Sequence, residues 1–221
     1  MQVIEMPVQP GEPAPDFAVP AVQDDRTISL ADYRGRTPLL LGLFPGLYCP
    51  FCRRAIAQMT ATSEKLKALG VESLAVVGTE LENARLYFTF RPTRLTLAAD
   101  PHLTTHRSYR VPRPEPTPEL MQTVETLRIN PYGELPEPLP VQTVAAMLDR
   151  LDGFQRTSTD QREAESMFTQ MKGQFLIARD GVVRWANIEC GKDGLSGFGK
   201  FPTHEELMTA ARIVTVETLG A

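Results

Sequence analysis

The segment from Leu39 to Arg54 most constrains the fold of this 221-residue chain, because it joins an apolar run to a pair of cysteines. Leu39 to Phe44 is apolar except for one glycine, which predicts a buried strand. A Pro-Gly pair then ends the run. Apolar residues at helical spacing follow the second cysteine, and Gly70 stands where a C-cap glycine is typical. We therefore expect a strand, a tight connection and a helix that begins near Cys-Pro-Phe-Cys.

Cys49 and Cys52 are the candidate catalytic residues. Two thiols three positions apart at a helix N-terminus are placed for redox chemistry, because the unpaired N–H groups and the helix dipole favour thiolate. Arg53 and Arg54 are expected at the helix surface, where they add positive charge. The competing interpretation is a pair that only packs in the core. It is the weaker one, since a position between strand and helix is the context that a redox motif requires.

The rest of the chain alternates between strands and helices. A hairpin precedes Leu39, two further βα units follow the cysteine helix, and a hairpin turning at Asp180-Gly181 precedes a last helix. Thr79 and Glu82 form the pattern of a capping box for the second helix. This order predicts an α/β fold with a central mixed sheet flanked by helices.

Residues 113–169 form an insertion segment of different composition. Eight prolines occur between positions 112 and 140, which predicts extended chain over most of that stretch. Two amphipathic helices follow, the second with Ser158 and Gln161 as its cap. Their apolar faces need cover, so the insertion either folds back on the domain or forms a subunit contact, which leaves a homodimer open.

Composition excludes several classes of partner. The formal net charge of −4 offers no basic surface for nucleic acid or an anionic membrane, and no apolar run is long enough to span a bilayer. The first ten residues lack the basic and apolar regions of a secretory signal. Three cysteines, an odd number, do not make a disulfide framework. We therefore expect a cytoplasmic protein with reduced thiols.

A metal site is a further alternative. His102 and His106 lie four positions apart on a short predicted helix and, with the two cysteines, would complete a Cys2His2 set. The long sequence separation does not match a zinc finger. Two solvated histidines are the simpler interpretation, so no metal or other cofactor is predicted.

Several short motifs resemble the peroxiredoxin / alkyl hydroperoxide reductase group of the thioredoxin-fold superfamily. The similarity covers roughly residues 10–112 and 170–215, with no counterpart for the insertion. It implies one thioredoxin-like domain over residues 1–221, interrupted at about 113–169. The motifs are Ala14-Pro-Asp-Phe17, Ser29 to Gly35, Phe44-Pro45, Ala99-Asp-Pro-His102, Tyr109-Arg-Val-Pro112 and Lys172 to Gly181.

The resemblance assigns positions at the cysteine motif. Peroxiredoxins carry Pro-x-x-x-Thr-x-x-Cys, with the last cysteine attacking the peroxide. Counting from Pro45, Cys52 takes that peroxidatic position and Cys49 replaces the threonine. Lys172 stands where the family has an arginine before its closing hairpin, so it keeps the charge but not the planar guanidinium.

The sequence leaves the mechanism open. In thiol–disulfide exchange, the more exposed Cys49 attacks and Cys52 resolves the mixed disulfide. In a peroxidase, Cys52 attacks the peroxide and Cys49 condenses with the sulfenic acid. Cys190, beside a glycine-rich loop, is a third thiol that either resolves a sulfenic acid or stays passive.

Function follows from the dithiol and the resemblance together. We expect a peroxiredoxin-like thiol oxidoreductase that cycles Cys49 and Cys52 between dithiol and disulfide. Its substrate would be a peroxide or a protein disulfide, and a protein of the thioredoxin or glutaredoxin type would supply electrons. The alternative is a non-catalytic redox sensor or binding module that recruits a partner through the insertion.

Overall fold

A computed structural model describes residues 6–216 and shows a five-stranded mixed sheet flanked by helices, as predicted. Residues 1–5, part of the stretch without secretory-signal features, lie outside the described residues. The strands are β1 Ala18–Pro20, β2 Thr27–Ser29, β3 Leu39–Phe44, β4 Glu72–Val77, β5 Thr96–Ala99, β6 Arg128–Ile129, β7 Leu139–Pro140, β8 Gly173–Ile177 and β9 Val183–Ile188. The helices are α1 Pro50–Ala68, α2 Leu81–Phe90, α3 Thr104–Ser108, α4 Pro118–Thr126, α5 Val141–Asp152, α6 Ser158–Met167 and α7 His204–Val216. Short 3-10 helices occupy Leu30–Asp32 and Gly194–Gly197.

The central sheet has the strand order β5-β4-β3-β8-β9. The strands β3, β4 and β5 are parallel, whereas β8 pairs antiparallel to β3 and β9 antiparallel to β8. Strand β3 is buried along its whole length. Its alternate side chains therefore pack into different clusters, with Leu40 and Phe44 in one and Leu39, Leu41 and Leu43 in the other.

Helix α1 packs closely on β3, and Gly42 makes that approach possible. A Cβ at Gly42 would lie 2.9 Å from the Met59 sulfur on the helix and 2.8 Å from the Phe44 ring. Pro50 occupies the first turn of α1, where its missing N–H costs nothing. Gly70, with a φ of +77°, follows the helix as predicted. The sequence from β3 to Gly70 thus fixes where the cysteines stand.

The β8–β9 hairpin contains a register shift. Ile177 pairs with Val183, but Leu176 pairs with Trp185, so one extra residue of β9 is accommodated there. Beyond the shift, the backbone N–H of Glu189 donates to the Lys172 carbonyl at 3.0 Å. The shift therefore places Glu189 opposite Lys172.

The insertion segment is more regular than its prolines suggest. It contains α4 and the two-stranded β6–β7 sheet before the two predicted helices, α5 and α6. Proline at the start of α4 stands in the first turn, where it is compatible with a helix. The cap of α6 is Thr157 with Asp160, one residue before the predicted pair. The segment folds back on the domain, where α5 contacts α1.

Arg53 attaches the insertion to α1. Its guanidinium makes ion pairs with Asp149 at 2.5 Å and Asp152 at 2.9 Å, both on α5. It also donates to the Leu47 carbonyl at 2.7 Å and lies 3.7 Å from the centre of the Phe154 ring. The expectation of a surface arginine is wrong, because Arg53 is only 3% exposed. The α5 carboxylates and Phe154 cover it.

Glu163 on α6 makes a second attachment. Its carboxylate accepts hydrogen bonds from the Thr79 hydroxyl at 3.1 Å and from the Glu80 N–H at 2.9 Å. The Thr79 hydroxyl in turn accepts from the Leu47 N–H. The predicted Thr79–Glu82 capping box is therefore wrong. The start of α2 is bound by a carboxylate from the insertion.

We expect the double substitution Asp149→Asn with Asp152→Asn to lower the free energy of unfolding by about 3 kcal/mol, because a buried guanidinium loses both counter-charges. Chemical denaturation measures the difference. Glu134→Gln is the matched control, since it breaks the more exposed 2.8 Å pair of Arg54 and should cost no more than about 0.5 kcal/mol. Equal effects of the two changes would contradict a structural role for Arg53.

Candidate functional site

The two cysteines lie at the start of α1 in different environments. Cys49 is the N-cap residue and is partly exposed, whereas Cys52, in the first turn, is 1% exposed. Both are free thiols. The N–H groups of Cys52 and Arg53 both donate to the Cys49 carbonyl, which fixes the turn. Cys49 is thus the more accessible of the two thiols.

The pKa values of the two thiols shift in opposite directions. A hydrogen bond from Cys52 lowers the pKa of Cys49 to about 7, and the positive charge of Lys172 adds to this against the opposing effect of burial. Burial raises the pKa of Cys52 well above its usual range, and the hydrogen bond to Cys49 raises it further. Cys49 is therefore the better nucleophile near neutral pH.

Lys172 supplies the positive charge at the site. Burial alone would lower its pKa, but Glu189 and the two thiols reverse the shift and raise it. Its ammonium group lies 2.5 Å from Glu189, and both side chains are nearly inaccessible. The Glu189 carboxylate also accepts the Gly199 N–H at 2.9 Å. The structure thus places Lys172 near the cysteines, whereas the charge of Arg53 is paired with the two carboxylates of α5.

Glu189 is a site residue that the sequence interpretation missed. The turn at Asp180-Gly181 was predicted, but counting back from it along a regular hairpin pairs Lys172 with Ile188. The register shift between Leu176 and Ile177 moves the pairing by one residue. A buried lysine needs a counter-charge, and that requirement is the signal from which a nearby carboxylate could have been expected.

An apolar pocket of about 360 Å³ opens above the cysteines. Its floor comes from the start of α1, and its walls come largely from the insertion. Tyr48 closes one side, with its hydroxyl donating to the Met167 carbonyl at 3.0 Å. The insertion wall includes Val124, Val141, Ala145, Ala146, Ala164 and Phe168. Gln142, Asp149 and Arg156 also line the pocket, but most of its lining is apolar, so it suits an apolar molecule better than a charged one.

The histidines and the third cysteine do not join this site. His106 is fully buried, and burial lowers its pKa to about 4, so the expectation of two solvated histidines is wrong for it. Between residues 6 and 216, no group of three or more His, Cys, Asp or Glu side chains is arranged to hold a metal. Cys190 follows Glu189 with a φ of +62°, and burial raises the pKa of its thiol to about 11.

The family model described as AhpC/TSA family matches residues 10–186. The chain belongs to that family. The match supports a thiol-based redox function, and it spans the insertion that the short motifs left unassigned. No curated protein matches the chain.

Solved structures show that members of several redox classes share the AhpC/TSA chain's fold. The reduced 2-Cys peroxiredoxin of Plasmodium vivax is 14% identical, with a TM-score of 0.60 over 98% of this chain and 86% of that one. Peroxidoxin BcpB of Mycobacterium tuberculosis is 12% identical, with a TM-score of 0.56 over 96% and 97%. A candidate thiol:disulfide interchange protein DsbE of Chlorobium tepidum is 19% identical, with a TM-score of 0.50 over 95% and 99%. None of the helices in the described residues is long and apolar enough to cross a membrane.

The difference between the thiols predicts their alkylation profiles. Because the pKa of Cys49 is lowered to about 7 and that of Cys52 is raised, Cys49 should react with iodoacetamide with a midpoint near pH 7. Cys52 should stay unmodified at that pH. Mass spectrometry of the separated peptides measures both. Faster alkylation of Cys52 than of Cys49 at neutral pH would contradict the assignment.

Removing the buried pair should raise the pKa of Cys49. In the double variant Lys172→Met with Glu189→Gln, no uncompensated charge is left buried, and the amide oxygen can still accept the Gly199 N–H. Lys172 affects Cys49 more than Glu189 does, so the alkylation midpoint should move above 7. The exposed pair of Lys200 and Asp193 provides the control: Lys200→Met with Asp193→Asn should leave the midpoint unchanged.

Proposed function

We propose that this protein is a thiol-dependent peroxidase in which Cys49 is the nucleophile and Cys52 resolves it. The observation that carries the proposal is the contrast within the motif. Both cysteines line the pocket, but Cys49 is partly exposed and has the lowered pKa, whereas Cys52 is 1% exposed and has a raised one. This exchanges the roles that the positions in the family pattern suggest, since Cys52 stands at the peroxidatic position.

The proposed cycle has three steps. The Cys49 thiolate attacks one peroxide oxygen, the O–O bond breaks, and the other oxygen leaves as an alcohol after taking up a proton. The Cys52 thiol then attacks the sulfur of the Cys49 sulfenic acid, forming the disulfide and releasing water. A second dithiol reduces that disulfide by exchange and is itself oxidised. The hydroperoxide is reduced by two electrons, and the external dithiol supplies them.

The pocket favours organic hydroperoxides of small size as substrates. Its apolar wall, built from α5 and α6, would lie against a hydrocarbon group while the peroxide group meets Cys49. We further infer that the whole chain acts as one domain, in the reducing cytosol, with a thioredoxin- or glutaredoxin-type reductant.

Cysteine variants test the order of the two thiols. With cumene hydroperoxide, Cys49→Ser should abolish oxidation of the protein. Cys52→Ser should still form one sulfenic acid per chain, trapped by dimedone at Cys49, but should not turn over. Mass spectrometry locates the adduct. Dimedone at Cys52 in the Cys49→Ser variant would overturn the proposed order.

Narrowing the pocket tests the substrate class. Ala145→Phe adds a ring to the apolar wall, so it should lower kcat/KM for cumene hydroperoxide by about tenfold, a typical scale for steric discrimination in an apolar pocket. Hydrogen peroxide needs no such room, and its kcat/KM should stay within about twofold. Met147→Phe is the control, because Met147 is exposed on the same helix.

Insulin reduction with dithiothreitol tests thiol–disulfide exchange separately. The motif at the start of α1 favours this second activity, because Cys49 is a helix N-cap with a lowered pKa. Turnover of insulin without turnover of any hydroperoxide would replace the peroxidase by a disulfide reductase. Absence of both activities would leave the redox-sensing or binding module as the better description.

A further inference from the structure

Arg156 lines the pocket above the cysteines, and its charge has no counter-charge in the described part of the chain. Besides the thiols, the pocket lining between residues 6 and 216 contains three charged side chains, those of Asp149, Glu189 and Arg156. Asp149 is paired with Arg53, and Glu189 is paired with Lys172. The Arg156 guanidinium makes no ion pair or hydrogen bond within this range. It is therefore open to a ligand.

The carboxylates behind the pocket wall are balanced without Arg156. Arg53 pairs with both Asp149 and Asp152, which leaves one carboxylate in excess. Arg91 donates to the Asp152 backbone carbonyl and lines a neighbouring cavity with that residue, so it brings the second positive charge to the cluster. Two cations thus face two carboxylates. The charge of Arg156 is not needed to neutralise them.

The loop that carries Arg156 is held on both sides. It connects α5 to α6, and before Arg156 the ring of Phe154 lies with its centre 3.7 Å from the guanidinium carbon of Arg53. Directly after Arg156, Thr157 forms a capping box with Asp160. The backbone at Arg156 is therefore fixed, while its side chain is exposed. This combination places the guanidinium at the solvent edge of the pocket.

The pocket thus offers an apolar wall, a thiol at its floor and an unpaired cation at its edge. A guanidinium binds a carboxylate through two parallel hydrogen bonds, and the match of shape and charge makes this pairing specific. Apolar groups gain by leaving water for the wall of α5 and α6. A molecule with an apolar body and one carboxylate would satisfy both features. Because Cys49 and Arg156 line the same pocket, such a molecule can contact both.

We infer that the preferred substrate is a hydroperoxide with a compact apolar body and a carboxylate, and that Arg156 selects for the carboxylate. This preference rests on the proposed function and narrows its substrates from organic hydroperoxides in general to anionic ones. Arg156 binds the substrate through charge and hydrogen bonds alone. The bonds that form and break at Cys49 are those of the three proposed steps.

Two hydroperoxides that differ in charge test the preference. One is cumene hydroperoxide carrying a para-carboxylate, and the other is the methyl ester of that compound. The second-order rate constant for oxidation of Cys49 by each is measured with the reduced protein. The readout is the ratio of the acid rate to the ester rate. A changed thiol pKa affects both reactions alike, so it cancels in this ratio.

Three variants accompany the wild type. Arg156→Gln removes the charge, and Arg156→Lys keeps the charge without the planar guanidinium. Arg162→Gln is the matched control, because Arg162 is exposed on α6 but does not line the pocket. It makes the same change in net charge at a different place.

The wild type should oxidise faster with the acid than with the ester. Arg156→Gln should lower the ratio by about fivefold, the upper range for an ion pair at an exposed site. Arg156→Lys should retain part of the preference, and Arg162→Gln should keep the wild-type ratio. High salt should lower the wild-type ratio, because it screens exposed charges.

Two results would overturn the role of Arg156 while leaving the peroxidase intact. One is an acid-to-ester ratio that is the same in the wild type and in Arg156→Gln. The other is an equal fall of the ratio in Arg156→Gln and Arg162→Gln, which would indicate an effect of net charge. If no hydroperoxide oxidises Cys49 faster than it oxidises free cysteine, the proposed function itself fails.

Calorimetry with para-isopropylbenzoate tests the carboxylate site without the peroxide reaction. This compound has the apolar body and the carboxylate but no peroxide group. It should bind the wild type and Arg162→Gln equally, and Arg156→Gln about fivefold more weakly. Equal binding to all three proteins would contradict the assignment of Arg156, whether or not the protein reduces peroxides.

Discussion

The buried guanidinium of Arg53 determines how the two parts of the chain fit together. A charge that is 3% exposed is tolerable only where counter-charges and hydrogen bonds surround it. Asp149 and Asp152 supply the charges from α5, and the Leu47 carbonyl supplies an acceptor from the loop before the cysteines. Arg53 therefore fixes the insertion over the start of α1, and the apolar pocket exists because of that placement.

The two thiols of the Cys-x-x-Cys motif differ in accessibility and pKa although they lie within one helical turn. Cys49 is the N-cap residue of α1 and Cys52 lies in its first turn. Three positions along the chain therefore separate a partly exposed sulfur from a buried one. The hydrogen bond between them lowers the pKa of Cys49, whereas burial, together with that hydrogen bond, raises the pKa of Cys52. The resemblance to the family pattern fixes which position each cysteine occupies. The environment, and not the position, determines which sulfur attacks in the proposed mechanism.

Local patterns predicted most of the fold, because the signals there act over a few residues. The β3 run, Gly70 and the Asp180-Gly181 turn all stand where the sequence placed them. Contacts between residues far apart in the chain could not be predicted from such local patterns. Thr79 has the sequence pattern of a helix cap, but its hydroxyl binds Glu163, more than eighty positions away. Arg53 has the sequence pattern of a surface residue, but the ion pair with Asp149 forms only when the insertion packs on α1. Prolines obscured α4, because a first-turn proline is compatible with a helix.

The extra residue in β9 links two distant parts of the sheet. Its presence decides whether Glu189 or Ile188 faces Lys172, although the hairpin turn lies at the opposite end of the strands. Inserting one more residue between the turn and Glu189, with the register shift kept, would bring Ile188 opposite Lys172 and carry the carboxylate to the other face of the strand. The length of β9 is therefore constrained by charge balance at the cysteines. Insertions between the turn and Glu189 should be tolerated far less than substitutions.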